Sequence, residues 1–296
     1  MNTRLAKTRL AKTRFAALML GCLAAAPALA IDVGPGDYAI APAGTTLGLL
    51  YFQHLRSRDF QMQGDKVPGS KFVGNVGLMR GLYYTTIASE PVVWQFVMPF
   101  SHLPTATVGG ARQRVSEGTG DLTLGLTFWP IKPSNEETGT TLGVSAFVTA
   151  PTGKYKFGSV GIGEGTWTFT PQMGLIQGLG NGFFFDAAAD VAFTVSHNEG
   201  WTRVSRDPSL QVQAMLRKQF SPATNIAIGY SGQWGGDLHL DGVKTGQRTR
   251  RDQIRFYAST FVTKDFQIQG MIGRDLHADG GFKYDTVAQV RLLKVF

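Results

Sequence analysis

From residue 44 to the last residue the chain repeats one arrangement: extended segments of alternating apolar and polar side chains, joined by links that are by turns short and long. A period of two places the two sets of side chains on opposite faces of a sheet. The fourth segment shows it most clearly, with Leu122, Leu124, Leu126 and Phe128 interleaved with Asp121, Thr123, Gly125 and Thr127. The eighth sets Leu210, Val212, Ala214 and Leu216 against Gln211, Gln213, Met215 and Arg217. About twelve strands are predicted, each of roughly 10 to 14 residues, the length a tilted strand needs to cross a bilayer. Their spans are 44–55, 72–88, 92–103, 119–131, 139–150, 166–178, 182–196, 208–220, 224–234, 250–263, 266–276 and 284–296. Strands one and two alternate least well, and Arg80 lies inside the second.

A soluble sandwich would alternate in the same way, so the links carry the distinction. Those after the even-numbered strands are short: Ser89-Glu90-Pro91, 132–138, Leu179-Gly180-Asn181, Ser221-Pro222-Ala223 and Lys264-Asp265. The others, near 56–71, 104–118, 151–165, 197–207, 235–249 and 277–283, are mostly long. Short periplasmic turns with long external loops are the arrangement of outer-membrane barrels. The fold class read from this is all-β: a transmembrane antiparallel up-and-down barrel over residues 44–296, with both ends on one side. Aromatic residues gather near strand ends (Trp94, Phe100, Phe128, Trp129, Trp167, Phe183, Phe185, Trp234, Phe256), as a headgroup girdle requires. The final aromatic, Phe296, is the mark by which barrel-assembly machinery is expected to read the terminal strand. Lys294 shares its face and is tolerable there only if it snorkels at the periplasmic edge.

Residues 1–30 read as a cleaved signal peptide. Arg4, Lys7, Arg9, Lys12 and Arg14 precede an apolar run from Phe15 to Ala26 and an Ala28-Leu29-Ala30 site, so export by a Sec-type route with cleavage near Ala30 is expected. A lipoprotein box at Met19-Leu20-Gly21-Cys22 is the rival reading. Loss of the five leader cations takes the formal charge from +8 to +3, which removes the case for a nucleic-acid partner. Cys22 is the only cysteine and leaves with the leader, excluding disulfides and thiolate chemistry from the mature chain. No later apolar stretch approaches the ~20 residues of a spanning helix. Residues 31–43, with Gly34, Pro35, Gly36 and Pro42, read as an irregular arm in the periplasmic mouth.

The stretches Gly36-Asp37-Tyr38, Ala41-Pro42-Ala43-Gly44-Thr45 and Tyr51-Phe52-Gln53-His54 resemble a family of exported proteins labelled as phenol meta-pathway degradation proteins or transporters. The likeness continues through Gly120-Asp121-Leu122, Trp129-Pro130, Pro151-Thr152-Gly153-Lys154-Tyr155, Asp207-Pro208 and Arg291-Leu292-Leu293-Lys294-Val295-Phe296. It implies a Gram-negative outer-membrane barrel linked to growth on aromatic or other hydrophobic compounds. It carries over no catalytic residue.

With apolar side chains toward lipid, the lumen receives Gln95, Asp121, Asp186, Asp190, Gln211, Gln213, Arg217, Gln233, Arg255, Gln267, Gln269, Gln289 and Arg291. Amides and both charge signs suit a pore for a small solute, whereas the bland alternative is a filled, structural interior. About twelve strands lie between the filled eight-stranded barrel and the open sixteen-stranded one. Asp186 and Asp190, four residues apart on one face, are separated by roughly 13 Å, too far to share a proton. Reflection of strand seven onto strand eight predicts an Asp186–Arg217 pair. The five histidines, His54, His102, His197, His239 and His277, all fall toward the external side; the sets Asp237-Leu238-His239 and Asp275-Leu276-His277 raise a rim hydrolase or a metal site as alternatives. Ser101 and His102 point to opposite faces and form no nucleophile–base pair. The glycines at 158, 161, 163 and 165 lack the G-x-x-x-x-G-K-[ST] pattern of a nucleotide site and read as a flexible external loop. The external loops are mildly basic, with Arg56, Arg58, Lys66 and Lys71 among them, which suits lipopolysaccharide phosphates as outer-membrane partners. The function expected is passive uptake of small hydrophobic or aromatic molecules, without cofactor, metal or catalysis.

Overall fold

A computed structural model describes residues 32–135 and 137–296; the expected leader lies outside them. Twelve long strands form the wall: β1 Thr46–Met62, β2 Lys71–Ile87, β3 Glu90–Val108, β4 Leu122–Ile131, β5 Thr140–Ala150, β6 Thr168–Gly180, β7 Phe183–Thr194, β8 Ser209–Gln219, β9 Thr224–Gly235, β10 Arg250–Thr263, β11 Phe266–Asp279 and β12 Gly281–Val295. Each pairs antiparallel with its neighbours in sequence, and β12 returns to β1 from Leu47↔Val295 to Gln61↔Gly281. Closure leaves no free edge, so the backbone donors and acceptors of the wall are satisfied within it, the condition for spanning lipid.

The faces are those of a membrane barrel. Outward stand Trp94, Leu124, Met173 and Ile272, each more than half exposed; inward stand Gln211, Gln213 and Asp275, nearly inaccessible. The buried-polar, exposed-apolar arrangement is stable only with hydrocarbon outside. Trp129 departs from the expected girdle: it is 2 % exposed and stacks on Tyr84 at 6.0 Å inside the barrel. Lys294 is resolved by a partner, for its ammonium bonds Asp265 in the periplasmic turn after β10 and, with Thr263, holds that carboxyl down to about 2.

The periplasmic turns are tight. Ala88 and Ser89 between β2 and β3, at φ +51° and +68°, make a two-residue hairpin whose twist matches the strands. On the external side β11 and β12 run farther than their alternation predicts, so the link expected near 277–283 shrinks to Gly280 at φ +75°. The remaining external loops fold over the mouth. Hairpins 197–206 and 238–244 join into a four-stranded sheet, and Val160–Gly161 pairs in parallel with Val115–Ser116. The Gly-rich loop is stapled: Asp121 accepts the amides of Gly153 (2.8 Å) and Glu164 (2.7 Å), and Arg206 pairs with Glu164 at 3.3 Å.

The poor alternation of strands one and two has a physical cause. Above the membrane the polarity inverts: Phe60, Phe72, Leu103, Val108 and Phe282 point inward to form an apolar cluster with the loops, while Arg56 and Arg58 point out. Phe72 and Phe282 lie 4.9 Å apart there.

Candidate functional site

The segment before β1 runs inside the barrel, deeper than the periplasmic mouth assigned to it above. A turn at Gly34-Pro35-Gly36-Asp37 reverses it, with Gly34 N–H donating to Asp37 Oδ2 (2.9 Å) and Gly36 at φ +77°. What draws it inward is charge and one aromatic ring. Arg80, Arg255 and Arg291 project into the lumen from β2, β10 and β12, where an unpaired guanidinium would be costly. Asp32 takes Arg255 at 3.1 Å; Asp37 takes Arg291 at 2.7 Å and Arg80 at 3.6 Å. Gln211 donates to Asp32 (2.8 Å), and Gln213 accepts the Val33 amide (3.0 Å).

Tyr38 fills a socket. Gly143 on β5 and Gly174 on β6 are register partners facing inward, and a Cβ built there would lie 2.4 Å and 2.0 Å from the Tyr38 ring. The phenol donates to Gln172 Oε1 at 2.8 Å and bonds Ser145 at 2.9 Å, while Trp129 Nε1 donates to the Tyr38 carbonyl at 2.9 Å. Beneath the arm the lumen is packed; above it, under the external lid, a cavity of about 140 Å³ remains. Its lining is amphipathic: Tyr51, Leu78, Val97, Ile162 and Met271 alternate with Gln53, Thr123, Thr170, Gln269 and Gln289, with Val33 and Gly34 of the arm as one wall.

The thirteen residues assigned to the lumen from the sequence all point inward or lie under the lid, with different surroundings. Asp121, Arg255, Gln269, Gln289 and Arg291 border the cavity. Gln211, Gln213, Arg255 and Arg291 also hold the arm, and Gln267 braces Arg291 at 3.0 Å. Gln95 accepts from Arg80 at 2.6 Å and donates to Thr127. Asp190 accepts from Gln172 at 3.0 Å, and Gln233 borders a small pocket under the lid. Asp186 binds Arg217 through two bonds, 2.8 and 3.1 Å. The register differs from the reflected one by two residues: Phe184 stands opposite Arg217 and Gln211 opposite Asp190, so the ion pair is diagonal. Arg217 also lies over the Phe184 ring at 4.2 Å. Asp186→Ala strands a buried guanidinium and is expected to cost about 3–5 kcal/mol in urea unfolding.

The rim sets do not assemble. His239 bonds Asp207 at 3.1 Å rather than Asp237, which pairs with Lys244; Asp275 turns inward to Arg251 while His277 is exposed. Among the described residues no three His, Cys, Asp or Glu side chains gather as metal ligands. Asp32, Asp37, Tyr38 and Arg80 are not among the residues assigned to the lumen from the sequence, though Arg80 stands out within its strand and the paired inward glycines at 143 and 174 mark the socket.

Residues 56–292 match the family model described as "Putative MetA-pathway of phenol degradation". Among solved structures, an outer membrane channel from Pseudomonas putida F1 is similar at TM-score 0.83 and 30% identity, over 90% of this chain and 100% of that one. The beta domain of the Bordetella autotransporter BrkA is similar at TM-score 0.51 and 8% identity, over 85% of this chain and 99% of that one, a likeness of fold alone. None of the curated proteins matches.

Proposed function

The chain belongs to the family described as "Putative MetA-pathway of phenol degradation", and from that premise we propose that it is an outer-membrane channel for passive uptake of small hydrophobic or aromatic molecules. The observation that carries the reading is the amphipathic cavity between lid and arm. Leu78, Val97, Ile162 and Met271 offer apolar contact to a ring, and the amides and hydroxyls beside them can bind a phenol or carboxylate at its edge. The similar Pseudomonas putida structure is that of a channel, which supports a conducting role. In this reading the solute gradient drives passage, as the sequence carries no G-x-x-x-x-G-K-[ST] nucleotide motif.

In this reading the docked arm, with Tyr38 seated between Gly143 and Gly174, obstructs the route to the periplasm, and flux requires it to yield. Proteoliposomes are expected to take up an ionised aromatic carboxylate faster than protein-free vesicles, with saturation, and to exclude a disaccharide. Equal uptake with and without protein would remove the channel reading. Hydrolysis of a lipid or peptide panel would instead favour a barrel enzyme.

A further inference from the structure

The lumen-facing arginines Arg80, Arg217, Arg255 and Arg291 all have carboxylate partners. On the outer wall the opposite holds. Arg56 and Arg58 on β1 and Arg274 on β11 are exposed, and none is ion-paired among the described residues. They stand together. Arg56 is opposite Thr286 of β12, and Arg274 follows directly on the Gly273↔Val287 pair that ends the β11–β12 ladder, which puts the two residues on either side of β12 with Cα atoms roughly 10 Å apart across two strand spacings. Asp285, which bulges out of the β1–β12 register beside them, accepts the Arg58 amide at 2.9 Å.

Immediately below, toward the membrane centre, the same strands carry a groove of about 810 Å³, within the range of roughly 300–1,000 Å³ typical of ligand sites. Its floor is made of small residues, Ala258, Gly270 and Ala288, and its walls of Phe52, Phe256, Ile272 and Val290. Gly270 is the position that keeps it open, for a Cβ built there meets nothing within 4 Å. An apolar slot at membrane depth, topped by unpaired cations where the wall turns from apolar to polar, matches a lipid that couples an acyl chain to a phosphate.

We infer that this face of the barrel is a binding site for lipopolysaccharide, with an acyl chain of lipid A in the groove and a lipid A phosphate on Arg56, Arg58 and Arg274. The external leaflet is the one the patch faces, given the long loops on that side, and phosphate geometry suits paired guanidinium groups. The inference rests on the outer-membrane location and not on what the lumen carries, so a failed flux assay leaves it standing.

The test is native mass spectrometry of the purified, folded protein in mild detergent, titrated with lipid A, dephosphorylated lipid A and phosphatidylglycerol. One lipid A per chain is expected. The variant R56E/R58E/R274E is expected to bind it roughly a hundredfold more weakly. Gly270→Leu, which fills the groove without backbone strain, is expected to weaken binding with all charges retained. The inference is overturned if the charge-reversed variant binds lipid A as the parent does, or if dephosphorylated lipid A or phosphatidylglycerol binds as tightly as lipid A.

Discussion

Deleting residues 32–43 is expected to raise single-channel conductance in planar bilayers roughly tenfold and to make the open pore anion-selective. The lumen of a barrel of this size is wide enough to conduct only if nothing folds into it, and here the arm does. Its removal also changes the charge. Asp32 and Asp37 neutralise Arg80, Arg255 and Arg291; without them four arginines face Asp186 and Asp190 at that depth, a net excess of cations. Further replacement of Arg80, Arg255 and Arg291 by Gln in the deleted protein is expected to abolish the anion preference while leaving the conductance high. A deletion that conducts no better than the parent would place the closure elsewhere, in the external lid.

A single side chain is expected to have nearly as large an effect. Tyr38→Ala removes a buried ring from between Gly143 and Gly174, together with the bonds to Gln172 and Ser145. Loss of a large buried side chain costs about 3–5 kcal/mol. Since the arm docks locally, that cost falls on docking rather than on the barrel, and 3 kcal/mol alone shifts a closed–open ratio by about a hundredfold. Frequent openings are therefore expected in single-channel traces, at unchanged resistance of the barrel to unfolding. Gly174→Leu should give the same phenotype from the opposite side by filling the socket. Tyr38→Phe, which keeps the ring and gives up the hydroxyl, should open far less often.

The barrel was legible because its wall obeys one rule. Where lipid lies outside and polar groups inside, as in Leu122–Phe128 or Leu210–Leu216, period two identifies both the strand and its faces, and the predicted spans fall within a few residues of β4 to β10. The rule fails where its cause is absent. At the external ends of β1, β3 and β12 there is no lipid, and Phe60, Val108 and Phe282 turn inward to meet the loops, so alternation inverts and the strands read too short. The inward direction of Asp186 and Arg217 followed from parity, but their register depended on the loop between β7 and β8, whose hairpin at 197–206 shifts the pairing by two residues. The arm was least legible. Nothing in Gly34-Pro35-Gly36 states a direction; its place follows from arginines about 40 to 250 residues later in the chain that need carboxylates, and such long-range complementarity leaves no local pattern. Arg80, an oddity within a strand, and the glycines at 143 and 174 are its visible signs.

The docked arm is the centre of this account, and the absence of cysteine from residues 23–296 allows it to be tested directly. Val33→Cys introduces one thiol at a position 6 % exposed inside the lumen, and Trp201→Cys one at a fully exposed external position. The rate of modification by a membrane-impermeant maleimide is the measurement. The account predicts that the thiol at residue 33 reacts at least roughly a hundredfold more slowly than the one at 201, and that Tyr38→Ala in the same chain brings the two rates together. Equal rates with Tyr38 in place would contradict it.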